Sequence, residues 1–152
     1  MYFYEFDEFK NDTKILLEQI KKSFKPDVLL SVARGGLTLG HFLAMSLNNR
    51  NLFVLNSILY DDTKKLDEVK IFNIPNLSGF KKILIIDDMV DSGESMNKIK
   101  TLLMTKYPQI HFKIATIFYK NNSIIKPDFY VKEAKEWIEF FWEKFGKDSA
   151  IS

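Results

Sequence analysis

The sequence predicts an α/β fold, a mostly parallel central sheet flanked by helices, and three observations carry that expectation. Short apolar runs rich in β-branched residues recur at 28–33, 52–59, 83–86 and 110–119, as strands buried on both faces read. Stretches with apolar residues at helical spacing stand between several of them, and strands alternating with helices favour parallel pairing under two helical layers. Two of the strand runs end on charged or glycine-rich clusters, Arg34-Gly35-Gly36 and Asp87-Asp88, and open α/β sheets bind ligands at the carboxyl ends of their strands.

Taken in order, Asp7 is placed to cap a first helix whose Phe9, Leu16, Leu17 and Ile20 share one face, and Lys25-Pro26-Asp27 breaks it. Residues 28–33 form the first strand. After Arg34-Gly35-Gly36, Leu39, Leu43 and Leu47 mark a helix that runs to Asn48-Asn49. Residues 52–59 read as a strand, 60–69 as a polar connection, and 70–74 as a returning strand that stops before Pro75. Residues 83–86, a helix from Met96 to about Lys106, and 110–119 make a strand-helix-strand unit. A short strand is expected at 129–131, and 133–145 is rich in aromatic residues. No repeat, low-complexity segment or linker interrupts the pattern, so 1–152 reads as one domain.

Composition narrows the functional classes. With 152 residues, 46% hydrophobic and 14% aromatic, the chain can bury a substantial core. A net charge of +2 gives no broad basic field, so no nucleic-acid partner is expected. Lys21, Lys22 and Lys25 cluster where the first helix ends, and cations there offset the helix dipole. The absence of cysteine excludes disulfides, thiolate zinc sites and thiol catalysis. His41 and His111 lack ligand-like spacing and read as structural. Neither a signal peptide nor a membrane-length apolar run is evident, so no transmembrane segment and a cytoplasmic location are expected.

The chemistry concentrates in residues 83–95, Ile-Leu-Ile-Ile-Asp-Asp-Met-Val-Asp-Ser-Gly-Glu-Ser. Asp87 and Asp88 begin where the apolar strand stops. Ser92, Gly93 and Ser95 then lead into a helix; small residues let backbone N–H groups converge on an anion, and the helix dipole favours negative charge. One ligand that needs both features is a phosphorylated sugar, its hydroxyls donating to Asp87 and Asp88 while its phosphate sits in loop 91–95. Magnesium suits such a carboxylate pair because it takes one or two carboxylates together with substrate phosphates. The plainer reading makes the aspartates solvated loop groups and Ser95 a helix cap. Arg34-Gly35-Gly36 offers a second anion loop, glycine allowing close backbone approach and arginine a permanent forked charge. Neither a GxGxxG fingerprint nor a Walker A pattern is present, which argues against dinucleotides and ATP hydrolysis.

Residues 87–95 resemble the 5-phosphoribosyl 1-pyrophosphate (PRPP) signature of type I phosphoribosyltransferases. With Ser-Val-Ala-Arg-Gly-Gly-Leu at 31–37, Ile-Phe-Tyr-Lys at 117–120 and Trp-Ile-Glu-Phe-Phe-Trp-Glu at 137–143, they stand in the order seen in bacterial xanthine-guanine phosphoribosyltransferases. Lys-Pro-Asp-Phe-Tyr-Val at 126–131 is similar in form to archaeal 6-oxopurine enzymes. The resemblance covers nearly the whole chain. It implies the type I phosphoribosyltransferase fold with a small C-terminal purine-binding hood at about 120–145, and a homodimer or homotetramer. The implied activity is purine salvage, the magnesium-dependent transfer of 5-phosphoribosyl from PRPP to N9 of guanine, xanthine or hypoxanthine, which gives the nucleoside 5′-monophosphate and pyrophosphate.

Residue by residue, the resemblance implies that Arg34 and Gly35 bind pyrophosphate behind a cis Ala33–Arg34 peptide. Asp87, Asp88, Met89, Val90, Asp91, Ser92, Gly93, Glu94 and Ser95 are implied to bind the ribose-phosphate part of PRPP, with Asp88 the metal-linked position. Asp91 is implied to be catalytic beside purine N7, Lys120 to hold the exocyclic oxygen, and Trp137 and Ile138 to cover the ring. Lys120 as a donor would suit a 6-oxo oxygen and would oppose the amino group of adenine.

Some positions depart from the family pattern. Glu94 stands where the bacterial enzymes have glycine, Ser92 and Ser95 replace threonines, and Leu59 precedes Tyr60 where serine is usual. Residues 60–69 match the mobile loop of the family poorly; Lys64 or Lys65 is the candidate for its basic residue, and a plain hairpin tip is the other reading. The main rival function is a PRPP-binding regulator of the same fold without catalysis. It would keep 87–95 but would need neither Lys120 nor Trp137, and such proteins often carry a nucleic-acid-binding segment, of which this sequence shows no sign. Transferases for adenine, orotate or uracil share the PRPP loop but not the segment at 137–143.

Overall fold

Apolar strands of four to six residues need cover on both faces, and the chain arranges its elements to supply it. The computed structural model describes residues 1–60 and 68–148. In chain order the elements are β1 (Tyr2–Tyr4), α1 (Phe6–Ser23), β2 (Val28–Ala33), α2 (Gly36–Ser46), β3 (Leu52–Tyr60), β4 (Glu68–Phe72) and β5 (Lys82–Ile86). There follow β6 (Met89–Val90), α3 (Glu94–Lys106), β7 (His111–Ala115), β8 (Phe118–Tyr119), β9 (Lys132–Glu133), β10 (Ile138–Phe140) and α4 (Phe141–Asp148).

The central sheet has the order β4-β3-β2-β5-β7, with only β4 antiparallel. Alternate residues along a strand face opposite sides. Leu29, Leu84 and Ile86 pack with Leu16 and Ile20 of α1 and Leu39 and Leu43 of α2. Val28, Leu30, Ile83 and Ile85 pack on the other side with Met96, Ile99 and Leu103 of α3. Each such wholly buried aliphatic side chain is worth about 1.5–3 kcal/mol relative to exposure. Two smaller sheets complete the fold, β6-β8-β9, whose β6 and β8 follow the carboxyl ends of β5 and β7, and the parallel pair β1-β10.

The strand order positions the site. From β2 the chain moves outward to β3, and from β5 it moves the opposite way to β7, so the order reverses between the neighbours β2 and β5. A crevice at such a reversal is where open α/β sheets bind ligands. The register sets Ser31 beside Ile86, so the residues following β2 and β5 emerge side by side.

Several sequence expectations are corrected in detail. Asp7 does not cap the first helix: α1 starts at Phe6 with Glu5 at the cap, and Asp7 lies in the first turn with Glu8, where negative charge favours the helix dipole. Residues 110–119 divide at Thr116, whose hydroxyl donates to the Phe118 carbonyl at 2.8 Å, and the two pieces join different sheets. The short strand expected at 129–131 is only an isolated bridge from Phe129 to Ala115, and the ladder forms at Lys132–Glu133 instead. β1 was not expected, because three residues carry little periodicity and their partner is β10, far along the chain. Lys64 and Lys65 lie outside the described residues. No helix among the described residues is long and apolar enough to cross a membrane.

Candidate active site

β5 delivers Asp87 and Asp88 to the crevice because its apolar run stops at Ile86. The main chain there is tied down: Asp87 N–H donates to the Ala115 carbonyl at 3.2 Å, and the Asp88 carbonyl accepts from Ile117 and Phe118, both at 3.1 Å. The Asp87 carboxylate also accepts the Asp88 N–H at 2.8 Å. Burial raises the pKa of Asp87 well above the ordinary carboxylate value, and the neighbouring Asp88 charge adds to it. Burial likewise pushes Asp88 up to about 6. Among the described residues, no basic side chain pairs with either aspartate.

The loop after β2 lies against this pair. A β-carbon on Gly35 would stand 2.7 Å from Asp88 Cγ and closer still to its Oδ2. One on Gly36 would stand 3.0 Å from Asp87 Cα and overlap the Ile86 carbonyl. Only glycine permits this approach of two strand ends. The Ala33–Arg34 peptide is cis, as expected, and Arg34 is exposed.

Past Asp88 the chain makes β6, which pairs with β8. Val90 is buried in the core, so the side chains of 87–95 do not all face the crevice. Gly93 has φ +87° and forms the N-cap of α3. A side chain at that position would be strained and would crowd Ile124 and Ile125. The Ser92 hydroxyl accepts from Glu94 N–H at 3.3 Å, and the Ser92 carbonyl accepts from Ile124 at 2.9 Å. Ser95 is in the first turn of α3 and not at its cap.

The third sequence element joins the second. Lys120 Nζ lies 2.6 Å from Asp91 Oδ1, and the Lys120 N–H donates to the Val90 carbonyl at 2.9 Å. Lys120 borders a cavity of about 430 Å³, which it lines together with Asn121, Asn122 and residues 133–137. Trp137 is 72% exposed at its rim. Ile138 does not line it: this side chain is buried in β10, whose backbone pairs with Tyr2. Lys120 and Trp137 stand out in the sequence through the family resemblance, whereas Asn121, Asn122, Glu133 and Glu136 do not. The Asn-Asn pair one residue past a strand is an available turn signal. The two glutamates carry none, since charged residues on a short surface strip look like any solvated face.

Comparison with known proteins places this geometry. The phosphoribosyl transferase domain model matches residues 4–146. A xanthine-guanine-hypoxanthine phosphoribosyltransferase of Helicobacter pylori superposes with a TM-score of 0.90 at 37% identity, covering 97% of this chain and 96% of that one. A purine phosphoribosyltransferase of Pyrococcus horikoshii superposes with a TM-score of 0.81 at 27% identity, covering 99% and 97%. The xanthine-guanine phosphoribosyltransferase of Desulfotalea psychrophila is 29% identical over 145 residues, 90% of this chain and 82% of that protein. The fold that carries the carboxylate pair and the glycine loop is therefore a shared one, and the chain belongs to the type I phosphoribosyltransferase family of enzymes.

Proposed function

We propose that this enzyme transfers the 5-phosphoribosyl group of PRPP to N9 of a 6-oxopurine, guanine, xanthine or hypoxanthine, in magnesium-dependent purine salvage. The observation that carries the reading is the Lys120–Asp91 pair, which joins the loop after the carboxylates to the rim of the 430 Å³ cavity. Lys120 donates to the 6-oxo group, Asp91 orients the ring at N7 and holds or relays its proton, and Trp137 covers an exposed face of the base. The amides of 91–95 bind the 5′-phosphate at the start of α3, where the dipole favours an anion. Arg34 and Gly35 bind the departing pyrophosphate.

The residues present fit magnesium. Two crowded carboxylates with raised pKa values and no basic partner need positive charge, and a β-carbon would fill the space over Asp88 that Gly35 leaves open. Among the described residues, no cluster of three or more His, Asp or Glu could hold a metal alone, which suits an ion that shares its shell with substrate phosphates. Asp88, with Asp87 beside it, would hold the ion, and its chemistry is charge neutralisation on the leaving group. Ile138, next to Trp137 and buried in β10, is read with it as part of the purine-binding hood. The enzyme is read as a cytoplasmic homodimer or homotetramer acting as one domain.

The test is pyrophosphate release from PRPP and magnesium with each purine in turn, repeated with Lys120→Ala. A 6-oxopurine should react and adenine should not, because a donor set against a donor beneath the bound base leaves unpaired groups that cost about 1–3 kcal/mol each. Lys120→Ala should weaken 6-oxopurine use while calorimetric PRPP binding stays. Tight PRPP binding without turnover on any base would favour the regulatory reading instead.

A further inference from the structure

The strip that lines the cavity, 133–137, is fastened at both ends by the N-terminal segment. At its leading edge, Lys132 Nζ stands 2.8 Å from Glu8 Oε2 and 3.0 Å from Asp12 Oδ2. Glu8 and Asp12 are four residues apart on α1 and so share a face. Each carboxylate accepts a second donor from β1: Tyr4 OH reaches Asp12 Oδ2 at 2.7 Å, and Tyr2 OH donates to Glu8. Further along α1, Gln19 Nε2 donates to the Tyr130 carbonyl at 2.9 Å, two residues before Lys132. At the trailing edge, Tyr2 N–H donates to the Trp137 carbonyl at 2.8 Å, and β1 then pairs with β10.

Tyr4 is wholly buried and Asp12 is 4% exposed. Lys132 and Glu8 are themselves partly exposed, and ion pairs so open to water add little stability, so a use in fixing geometry is a better account of them. The direction of the contacts agrees. The node grips the backbone immediately before Glu133, and β1 grips it at Trp137 and beyond. Between those grips, the Ala134 N–H donates to the Tyr119 carbonyl at 2.8 Å, one residue from Lys120.

We propose that Lys132, held between Glu8 and Asp12 with Tyr2 and Tyr4 behind them, is a positioning residue for the purine: it sets the strip 133–137 at the distance from Lys120 that the base requires. The proposal rests on the function argued above. Lys132→Met keeps the stem and removes the charge. It should raise KM for the purine by about 10- to 100-fold, the scale on which small displacements act, with KM for PRPP little changed, and Lys132→Arg should recover most of the loss. Glu8→Gln, a milder change at a partly exposed carboxylate, should move purine KM the same way and serves if Lys132→Met fails to fold.

Backbone hydrogen exchange on the ligand-free protein gives a readout independent of turnover. Amides of 133–137 should exchange faster in either variant, while those of 91–95 keep their wild-type rates. A wild type that binds PRPP but turns over no 6-oxopurine would defeat the proposed function and leave the exchange result to decide the positioning role. Unchanged exchange at 133–137, or purine and PRPP KM rising together, would overturn the proposal.

Discussion

Asp88 shows most directly how a single residue is held in tension between folding and function. Burial disfavours its charge and pushes its carboxyl up to about 6 in the folded chain, against about 3.9 in an unfolded chain. A carboxylate with a raised pKa binds more protons folded than unfolded, so its contribution to stability is present at low pH and is lost as pH rises from about 4 to about 6. Asp88→Asn should therefore raise the thermal midpoint of the ligand-free protein at about pH 7.5 and change it little near pH 4. The same variant should lose magnesium-dependent PRPP binding by calorimetry. A lower midpoint at neutral pH would show that the charge is not a burden on the fold. Asp91 is a different case, exposed and paired with Lys120. Asp91→Asn should cut turnover by about 10²- to 10⁴-fold, the range for a positioned acid or base, with a smaller effect on PRPP affinity. Near-normal turnover would reduce Asp91 to a partner that holds Lys120.

Among elements, α2 has the tightest seat. A β-carbon on Gly40 would stand 3.2 Å from Ser31 Cβ and overlap its hydroxyl, which is buried with no hydrogen-bond partner among the described residues. Helix α2 can lie that close to β2 only because neither residue is larger. Gly40→Ala gains about 1 kcal/mol of helix propensity, while overpacking costs about 1–3 kcal/mol. The clash should win, with the variant unfolding at lower denaturant. In a Ser31→Ala background the same change should be neutral or stabilising. Equal effects in both backgrounds would mean that the two residues are not coupled. The cluster of Lys132, Glu8 and Asp12 shows the opposite arrangement, an element fixed by charge. Burial works against the charge on Glu8, but hydrogen bonds from Lys132 and Tyr2 hold its pKa below the usual value. Burial also opposes the charge on Lys132, which its two carboxylate partners nevertheless stabilise. The stability this pair adds is therefore lost as pH falls through the lowered Glu8 value or rises through the raised Lys132 value.

At the scale of the whole molecule, the sheet and its two packed faces follow from patterning along the chain. The runs at 28–33 and 83–86 are apolar at every position or nearly so, and this determines strands buried on both faces before any neighbour is known. The carboxylates after the second run and the glycines after the first were legible because each lies at a junction where a local pattern ends, whereas Lys120 and Trp137 stood out only through the resemblance to the family. The sequence thus determined the strand-helix framework, the family and the candidate site residues. What only the tertiary structure decided is long-range. That β2 and β5 are neighbours, so that Gly35 presses on Asp88, depends on strand order and not on any window of residues. That Tyr2 to Tyr4 form a strand depends on β10, and that Lys132 lies between Glu8 and Asp12 depends on a contact across 124 residues of sequence. Such pairings carry no period to read, because the free energy that selects them comes from shared burial and charge complementarity between segments that meet only after the chain has folded.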